Sequence, residues 1–240
     1  MDIAIISGAS GGIGKEFALL LDSEMLDEIW LICGKKSPDF NLKVRTRVFN
    51  FDLTQTSSFN EIKKEFSNDI TIKYLICSAG VGYNGDFVNI SEENISKMIS
   101  LNCDALAILT KICIPYMKPG SKIIEIASGA GFLPQPSFAT YAATKAFVIS
   151  LSKALNSELK HLGISVTAVC PGPVDTCFFS SLDGVKEYKK KYLISPKRVA
   201  YLGLKASKKG KRICSTSFSI KMVHLAAKIL PTSLIFKFYK

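Results

Sequence analysis

Short apolar runs alternate along the chain with stretches in which apolar residues recur every three or four positions. The runs have the length of buried strands, and the stretches between them have the period of helices packed on one face. The predicted strands are 3–6, 29–33, 44–49, 72–77, 122–127 and 164–169. The predicted helical stretches lie near 17–21, 54–66 (with Thr54 as its cap), 91–101, 104–116 and 138–161.

This alternation predicts β-α-β units and therefore a parallel sheet that is covered by helices on both faces. We expect an α/β fold with a doubly wound parallel sheet in three layers, α/β/α. Ligands of such sheets bind at the carboxyl ends of the strands. The 240 residues suffice for one large domain, and no low-complexity linker divides them, so 1–240 is predicted to be a single domain.

The first predicted strand ends in a glycine-rich turn, S-G-A-S-G-G-I-G (7–14), that leads into a helix. Its glycines, Gly8, Gly12 and Gly14, let a pyrophosphate approach the backbone. The N-terminus of the helix offers unpaired N–H groups and the positive end of the helix dipole. Placed between a strand and a helix, this turn predicts a dinucleotide-binding domain of the Rossmann type.

The end of the second predicted strand bears on the choice of dinucleotide. A cofactor without a 2′-phosphate usually meets an acidic residue about 20 positions after the glycines. Here that region reads Gly34, Lys35, Lys36, and a lysine attracts a 2′-phosphate, so NADP(H) is favoured over NAD(H). The alternative is that these lysines only keep the loop soluble. The eight residues 36–43, with Pro38 among them, are too few for a helix, which leaves the adenine side more open.

A second set of residues can meet at the same edge of the sheet. Tyr141 and Lys145 lie four positions apart in a predicted helix and so share one face. Ser128 follows the strand 122–127, and Asn102 lies near the end of a helical stretch. A phenol has a pKa near ~10, and a lysine ammonium one turn away, with a cationic nicotinamide, lowers it. The set is therefore suited to proton transfer; the alternative is a surface Tyr–Lys pair.

Taken together, these motifs resemble the short-chain dehydrogenase/reductase family, in particular its hydroxysteroid dehydrogenase-like and 3-oxoacyl-reductase-like members. The resemblance implies an NAD(P)-dependent oxidoreductase that interconverts a carbonyl and an alcohol. The matching motifs are G-A-S-G-G-I-G (8–14), D-L (52–53), S-A-G (78–80), Asn102, Ser128, Y-x-x-x-K (141–145) and P-G-P-V-D-T (171–176).

The resemblance also implies roles for individual residues. Tyr141 would donate a proton to the carbonyl oxygen, which Ser128 holds. Lys145 would lower the tyrosine pKa and bind the nicotinamide ribose, and Asn102 would position a water between Lys145 and solvent. The implied cofactor-binding residues are Gly8, Ser10, Gly12, Ile13, Gly14, Lys35, Asp52, Leu53, Ser78, Ala79, Gly80, Asn102, Tyr141, Lys145, Pro171, Gly172, Val174 and Thr176.

The residues near the predicted catalytic set indicate an apolar substrate. The expected substrate-binding residues are Ser128, Phe132, Leu133, Phe138 and Phe178, under a lid at about 176–195. A hydroxysteroid, a fatty 3-oxoacyl group and an aromatic ketone all suit such a cleft, and the sequence does not choose among them. Family members usually pair through the two long helices that flank the fifth strand, so a homodimer or homotetramer is expected.

The net charge of +11 is concentrated near the end of the chain, where residues 186–240 contain 15 Lys or Arg and one acid, Glu187. We favour a solvated, lysine-rich exterior, while weak contact of the basic segment 217–240 with an anionic membrane surface stays open. No nucleic acid partner is expected, because aromatic-plus-basic platforms are lacking. The alternative function is an NAD(P)-binding, redox-sensing regulatory protein.

Cysteine and histidine usage narrows the remaining classes. Seven cysteines lie scattered without C-x-x-C pairs, and no N-terminal signal pattern is seen, so reduced thiols in a cytoplasmic protein are expected. The chain has only two histidines, and no metal site is predicted. No apolar stretch is expected to be long enough to span a membrane.

Overall fold

The computed structural model describes residues 1–180 and 193–231, which form one seven-stranded parallel sheet with helices on both faces. The strand order is β3-β2-β1-β4-β5-β6-β7, so the predicted doubly wound, three-layered α/β/α fold is confirmed. The strands are β1 (Asp2–Ser7), β2 (Glu28–Cys33), β3 (Arg45–Asn50), β4 (Thr71–Cys77), β5 (Lys122–Ile126), β6 (Ser165–Cys170) and β7 (Ile213–Ser215).

Eight α-helices lie within the described residues: α1 (Gly12–Leu21), α2 (Thr56–Lys64), α3 (Glu92–Ile99), α4 (Ala105–Cys113), α5 (Ala139–Glu158), α6 (Cys177–Ser180), α7 (Pro196–Lys208) and α8 (Phe218–Ile229). The prediction that Thr54 caps the second helix is wrong. Gln55 occupies that position, because the Thr54 hydroxyl donates to Asp52 Oδ1 at 2.7 Å instead. Most of the expected lid (176–195) and the last part of the basic segment (217–240) lie outside the described residues.

The central strands are buried on both sides, which explains why they read as continuous apolar runs. Ile3 and Ile5 of β1 face the layer that contains α4 and α5, whereas Ala4 and Ile6 face the layer that contains α1 and α7. Each fully buried isoleucine contributes about 1.5–3 kcal/mol to folding. The sheet is therefore a firm support for the loops at its carboxyl edge.

The two helical stretches predicted at 91–101 and 104–116 form one continuous helical segment. A π-helical turn, Ser100–Asp104, joins α3 to α4, and the extra residue of this turn carries Asn102 inward. By length and composition alone, Glu92–Tyr116 could cross a membrane, contrary to the expectation that no stretch would. Nearly half of its apolar window is buried, with Leu106 and Leu109 in the core.

The connection between β2 and β3 contains no helix in the described stretch 34–44, as its length predicted. This loop is instead fastened to α1. Lys15 pairs with Asp39 at 2.8 Å, and Asp22 Oδ1 accepts hydrogen bonds from the N–H groups of Lys43 (2.7 Å) and Val44 (2.9 Å). The loop therefore lies beside the helix that starts at the glycine-rich turn.

Candidate active site

The predicted site residues converge on the carboxyl edge of the sheet. The glycine-rich turn follows β1, the 78–80 turn follows β4, Ser128 follows β5, and 171–176 follows β6. Helix α5 brings Tyr141 and Lys145 to the same edge. The arrangement follows from the topology, because parallel strands end side by side.

The backbone of the glycine-rich turn approaches its neighbours too closely for side chains. Gly8 has a φ of +68°, and a Cβ there would stand 2.7 Å from the N–H nitrogen of Ala79. A Cβ at Gly14 would stand 2.3 Å from the Gly8 carbonyl oxygen. Gly11 is the N-cap residue of α1, and no side chain among the described residues caps the helix there. Ser10 and Ile13 lie within this turn, which fits the pyrophosphate of a dinucleotide.

The segment 171–176 crosses the same turn from the other side. A Cβ at Gly12 would lie 3.3 Å from Thr176 Cγ2, so these two residues are neighbours. The Pro171 carbonyl accepts a hydrogen bond from the Gly129 N–H at 2.8 Å, and Val174 pairs with Ile194. Gly172 is half-buried beside α8. The segment is thus held between the sheet edge and the start of α7.

On the adenosine side, Asp52 is exposed and Leu53 beside it is buried. Hydrogen bonds from the Thr54 hydroxyl and N–H lower the pKa of Asp52, and the charges of Lys97 and Lys35 lower it further. Lys35 is exposed at the end of β2. A carboxylate and two lysines therefore stand where the adenosine half of a dinucleotide is expected.

The turn Ser78–Ala79–Gly80 is held by a residue that sequence reasoning missed. Ser7, the last residue of β1, accepts hydrogen bonds through its Oγ from the N–H groups of Ser78 (3.2 Å) and Ala79 (3.3 Å). Ser7 is nearly fully buried. Its hydroxyl thereby ties the β4 turn to β1, across the point where the strand order reverses.

Asn102 is fully buried, and its side chain is already engaged. Its Oδ1 accepts from the Val81 N–H at 2.9 Å, while its Nδ2 donates to the Val81 carbonyl at 2.8 Å and to Thr144 Oγ1 at 3.1 Å. Thr144, another residue that sequence reasoning missed, also donates to the Tyr141 carbonyl at 2.8 Å. The Asn102 amide therefore clamps the β4 turn to α5.

Lys145 points into the space between β5 and the β4 turn. Its Nζ donates to the Ile126 carbonyl at 2.8 Å and lies 5.7 Å from the centre of the Tyr141 ring. A Cβ at Gly80 would stand 3.6 Å from this Nζ. Burial lowers the pKa of Lys145 to about 8, against small opposing effects of Cys103 and Cys170. The group can therefore gain and lose a proton near neutral pH.

Tyr141 is 8% exposed and lies between two aromatic rings. The Phe138 ring stacks on it with 4.3 Å between centroids, and the Phe178 ring tilts against it at 5.6 Å. Burial raises the pKa of Tyr141 to about 12, and a hydrogen bond with Ser128 acts in the opposite direction. The protein groups alone therefore do not lower the pKa of Tyr141, as was expected from Lys145, because the effect of burial is larger than theirs.

The predicted substrate residues divide into two groups. Phe138 and Phe178 contact Tyr141, as expected for the wall of a cleft. Phe132 instead stacks on His224 of α8, with 4.3 Å between ring centroids, because its turn (Gly129–Phe132) faces α8. Leu133, half-buried, follows that turn directly.

Gly82 is the third position that the sequence pattern did not reveal. A Cβ there would come within 2.6 Å of the Phe178 ring and 2.9 Å of the Tyr141 ring. Any larger residue would therefore push into the aromatic pair. A glycine two positions after S-A-G was a signal that could have been read, since glycine often marks a close approach of backbone to other groups.

With this geometry in hand, comparison with known proteins assigns the family. The family model for short chain dehydrogenases matches residues 2–185, so the chain belongs to the short-chain dehydrogenase family. It is accordingly a member of a family of oxidoreductases. The recognition made from the motifs is confirmed.

Two curated relatives are very-long-chain 3-oxoacyl-CoA reductases. The chain is 32% identical over 181 residues to that of Phaeosphaeria nodorum, covering 69% of this chain and 53% of the relative. It is 31% identical over 183 residues to that of Rattus norvegicus, covering 70% and 58%. The chain thus spans little more than half the length of these relatives.

Solved structures agree over nearly the whole chain. A short-chain dehydrogenase from Sphingobium yanoikuyae in complex with NADPH is 25% identical with a TM-score of 0.81, covering 95% of this chain and 93% of that one. The bulky-bulky ketone specific alcohol dehydrogenase from Comamonas testosteroni is 26% identical with a TM-score of 0.74, covering 90% and 86%.

Proposed function

We propose that this protein is an NADPH-dependent reductase of an apolar carbonyl substrate, with a fatty 3-oxoacyl thioester as the favoured class. The observation that carries the proposal is the buried Tyr141 side chain, whose ring is enclosed by Phe138 and Phe178 and lies 5.7 Å from Lys145 Nζ. An O–H donor in an apolar wall suits a carbonyl on a long apolar chain. The names of the curated relatives support the 3-oxoacyl class over a hydroxysteroid or an aromatic ketone.

At neutral pH Tyr141 carries the proton that reduction requires. When bound, NADPH supplies a hydride to the carbonyl carbon, and the reaction also needs one proton on the oxygen to yield the alcohol. With its pKa raised to about 12, the phenol keeps its proton at neutral pH and can donate it. Ser128 Oγ, whose own position is fixed by a hydrogen bond from the Ala130 N–H at 3.1 Å, would orient the carbonyl oxygen.

Lys145 would stabilise the phenolate that Tyr141 leaves after donating its proton. Its ammonium group is one helical turn away and is predominantly charged below its pKa of about 8. The Asn102 side chain is occupied by Val81 and Thr144. A water relay from Lys145 past Asn102 would therefore use the main-chain carbonyl of Asn102 rather than its amide.

Preference for NADP(H) is part of the proposal and rests on charge. Lys35 is exposed beside Asp52, at the end of β2 where the adenosine ribose is expected. A Cβ at Gly34 would meet nothing within 4 Å, so the backbone just before Lys35 is not crowded by other groups. The glycine-rich turn and the uncapped start of α1 serve either dinucleotide.

A homodimer or homotetramer and a cytoplasmic location are further proposals. Exposed Phe147 of α5 and Ile99 at the end of α3 provide apolar surface on the helices that flank β5. The alternative, a redox-sensing regulatory protein, is disfavoured because sensors of this fold typically lose the catalytic tyrosine or lysine. Here Asn102, Ser128, Tyr141 and Lys145 are all present.

The proposal is tested by NADPH and NADH oxidation with 3-oxoacyl thioesters of increasing chain length, an apolar aromatic ketone and a ketosteroid. We expect turnover of long 3-oxoacyl thioesters with NADPH, and kcat/KM that rises with chain length. Faster turnover of the ketosteroid or the aromatic ketone would contradict the proposed substrate class but would still support a reductase. Tight NADPH binding without turnover of any carbonyl would favour the sensor.

A further inference from the structure

Helix α8 leaves one apolar face open to solvent. Its inner side packs on the domain, where Ile220 contacts Gly129 and His224 stacks on Phe132. Its outer side presents Phe218 (76% exposed), Met222 (48%), Leu225 (49%) and Ile229 (69%). Spacings of four, three and four residues place these side chains in one stripe along the helix.

Such a stripe is unusual on a surface that faces only water, because scattered apolar residues are common and continuous apolar faces are not. The stripe begins at a well-formed helix start, where Ser217 Oγ accepts from the Ile220 N–H at 3.3 Å. Its side chains are therefore presented by an ordered helix that is anchored to the core.

The surroundings of this stripe are strongly positive. Residues 193–231 contain nine Lys or Arg and no Asp or Glu. Two of the nine, Lys221 and Lys228, are exposed on α8 itself. An apolar stripe bordered by cations matches a lipid surface with anionic headgroups, whereas a second copy of this face would bring like charges together.

A cavity under α8 adds to the positive surface. It has a volume of about 280 Å³ and is lined by Phe132, Ile149, Lys153, His224 and Lys228, among others. The Nε2 atom of His224 is buried without a hydrogen-bond partner among the described residues. The cavity thus brings two ammonium groups and one imidazole nitrogen without a described partner to the inner side of the helix that carries the stripe.

We propose that the outer face of α8 (Phe218, Met222, Leu225 and Ile229) inserts into the surface of a membrane that contains anionic phospholipids, with Lys221 and Lys228 at the headgroups. The inner face of the same helix borders the turn that follows Ser128. Docking through α8 therefore places the carboxyl edge of the sheet close to the bilayer, from which an apolar substrate can enter. The inference does not depend on the identity of that substrate.

The test is sedimentation of the full chain with vesicles of phosphatidylcholine alone or mixed with phosphatidylserine, at low and high salt. We expect binding to the mixed vesicles that weakens with salt, and about tenfold or greater loss in Phe218→Glu/Ile229→Glu and in Lys221→Glu/Lys228→Glu. The matched control Met25→Glu/Val88→Glu changes two other apolar residues that are 97% and 87% exposed, and it should bind like the wild type.

Circular dichroism and NADPH binding, measured for each variant, separate lost docking from lost folding. NADPH binding and turnover of a soluble short-chain carbonyl should be unchanged, so failure of docking and failure of the proposed reductase are distinguishable. Three results would overturn the inference. The first is that the wild type does not bind to mixed vesicles. The second is that Phe218→Glu/Ile229→Glu binds them as well as the control Met25→Glu/Val88→Glu does. The third is that Phe218→Glu/Ile229→Glu changes the association state of the protein in ultracentrifugation without lipid.

Discussion

Two buried ionisable side chains lie where strand β5 meets helix α5: Lys145 at the carboxyl end of the strand, and Glu125 one residue before that end. At the end, the Ile126 carbonyl receives Lys145, next to Tyr141. One residue earlier, the Glu125 side chain is hydrogen-bonded to Ser152 of α5 and, at 3.2 Å, to Thr110 of α4. The two side chains therefore lie at neighbouring residues of β5 but in different surroundings. Lys145 lies beside the Tyr141 ring, and Glu125 lies beside the hydroxyl groups of Ser152 and Thr110.

Burial acts on both groups in the same sense, because it favours the neutral form. It lowers the pKa of Lys145 to about 8 and raises that of Glu125 to about 7. The hydrogen bonds with Ser152 and Thr110 act in the opposite direction and lower the pKa of Glu125, but the effect of burial is larger. Ser152 Oγ lies 2.7 Å from the Val148 carbonyl as well as beside Glu125, and its single proton cannot serve both. A protonated Glu125 that donates to Ser152 resolves this conflict.

The difference between the two places is access. Lys145 is 5% exposed and lies beside Gly80 and the Tyr141 ring, which contacts Phe178. Glu125 is fully buried, with Cys77 also close to Thr110. A pKa near neutrality is thus insufficient to identify a catalytic group. Under the proposed function Lys145 takes part in the chemistry, whereas Glu125 is expected to affect only stability.

The largest expected effect in this comparison comes from Lys145→Met. Removing the ammonium group leaves the Tyr141 phenolate without its neighbouring charge, so kcat for carbonyl reduction should fall by about a thousandfold. Steady-state kinetics with NADPH measure the effect. Lys160→Met, which removes an exposed lysine just beyond α5, is the matched control and should retain full activity. A loss of less than about tenfold in Lys145→Met would remove Lys145 from the chemistry.

A second effect, on stability, is expected from Glu125→Gln. The pKa of Glu125 is higher in the folded chain than in the unfolded one, so the folded state binds the extra proton and the free energy of unfolding falls as pH rises. From about pH 5 to about pH 8 this group should lower it by roughly 2 to 3 kcal/mol, and Glu125→Gln should abolish that fall. Urea unfolding at both pH values measures the difference.

Two observations keep this prediction specific to the buried carboxyl. Glu158→Gln removes an exposed carboxylate from the same helix and should keep the pH dependence of the wild type. Activity of Glu125→Gln should stay within a few-fold of the wild type, since Gln can still bond to Ser152 and Thr110. Identical pH dependence of unfolding in Glu125→Gln and the wild type would show that Glu125 is ionised throughout.

The smallest effect concerns the cofactor and involves only exposed groups. Lys35→Glu should weaken NADPH binding by about tenfold while changing NADH binding little, because it puts a carboxylate where a 2′-phosphate is expected. Fluorescence titration with both nucleotides measures this, with Lys36→Glu as the neighbouring control. Equal losses for NADPH and NADH would dismiss Lys35 as the residue that selects the phosphate.

The layout of strands and the edge that carries the site could be predicted because they follow from local patterns. Apolar runs and glycine spacing depend on neighbours in sequence, and Tyr141 and Lys145 share a face by helical period alone. The residue that caps the start of a helix could be predicted less well. Thr54 looked like a cap, but Asp52, two residues away, takes its hydroxyl instead.

Features that depend on tertiary packing could not be predicted. Phe132 looked like a cleft residue, yet it meets His224, which is 92 positions away in sequence. The π-helical turn at Ser100–Asp104 and the bond between Asn102 and Thr144 depend on how α4 lies against α5. The pKa of Tyr141 is raised rather than lowered because the side chain is buried, and its burial depends on tertiary packing.

The most direct measurement of the central claim compares Tyr141→Phe with the wild type, using the best carbonyl substrate, for both NADPH affinity and kcat. Phenylalanine keeps the ring between Phe138 and Phe178 and removes only the hydroxyl. The account predicts an unchanged affinity for NADPH and a loss of kcat of about a thousandfold or more. A variant that binds NADPH normally and still reduces the carbonyl at close to the wild-type rate would contradict the assignment of Tyr141 as the proton donor.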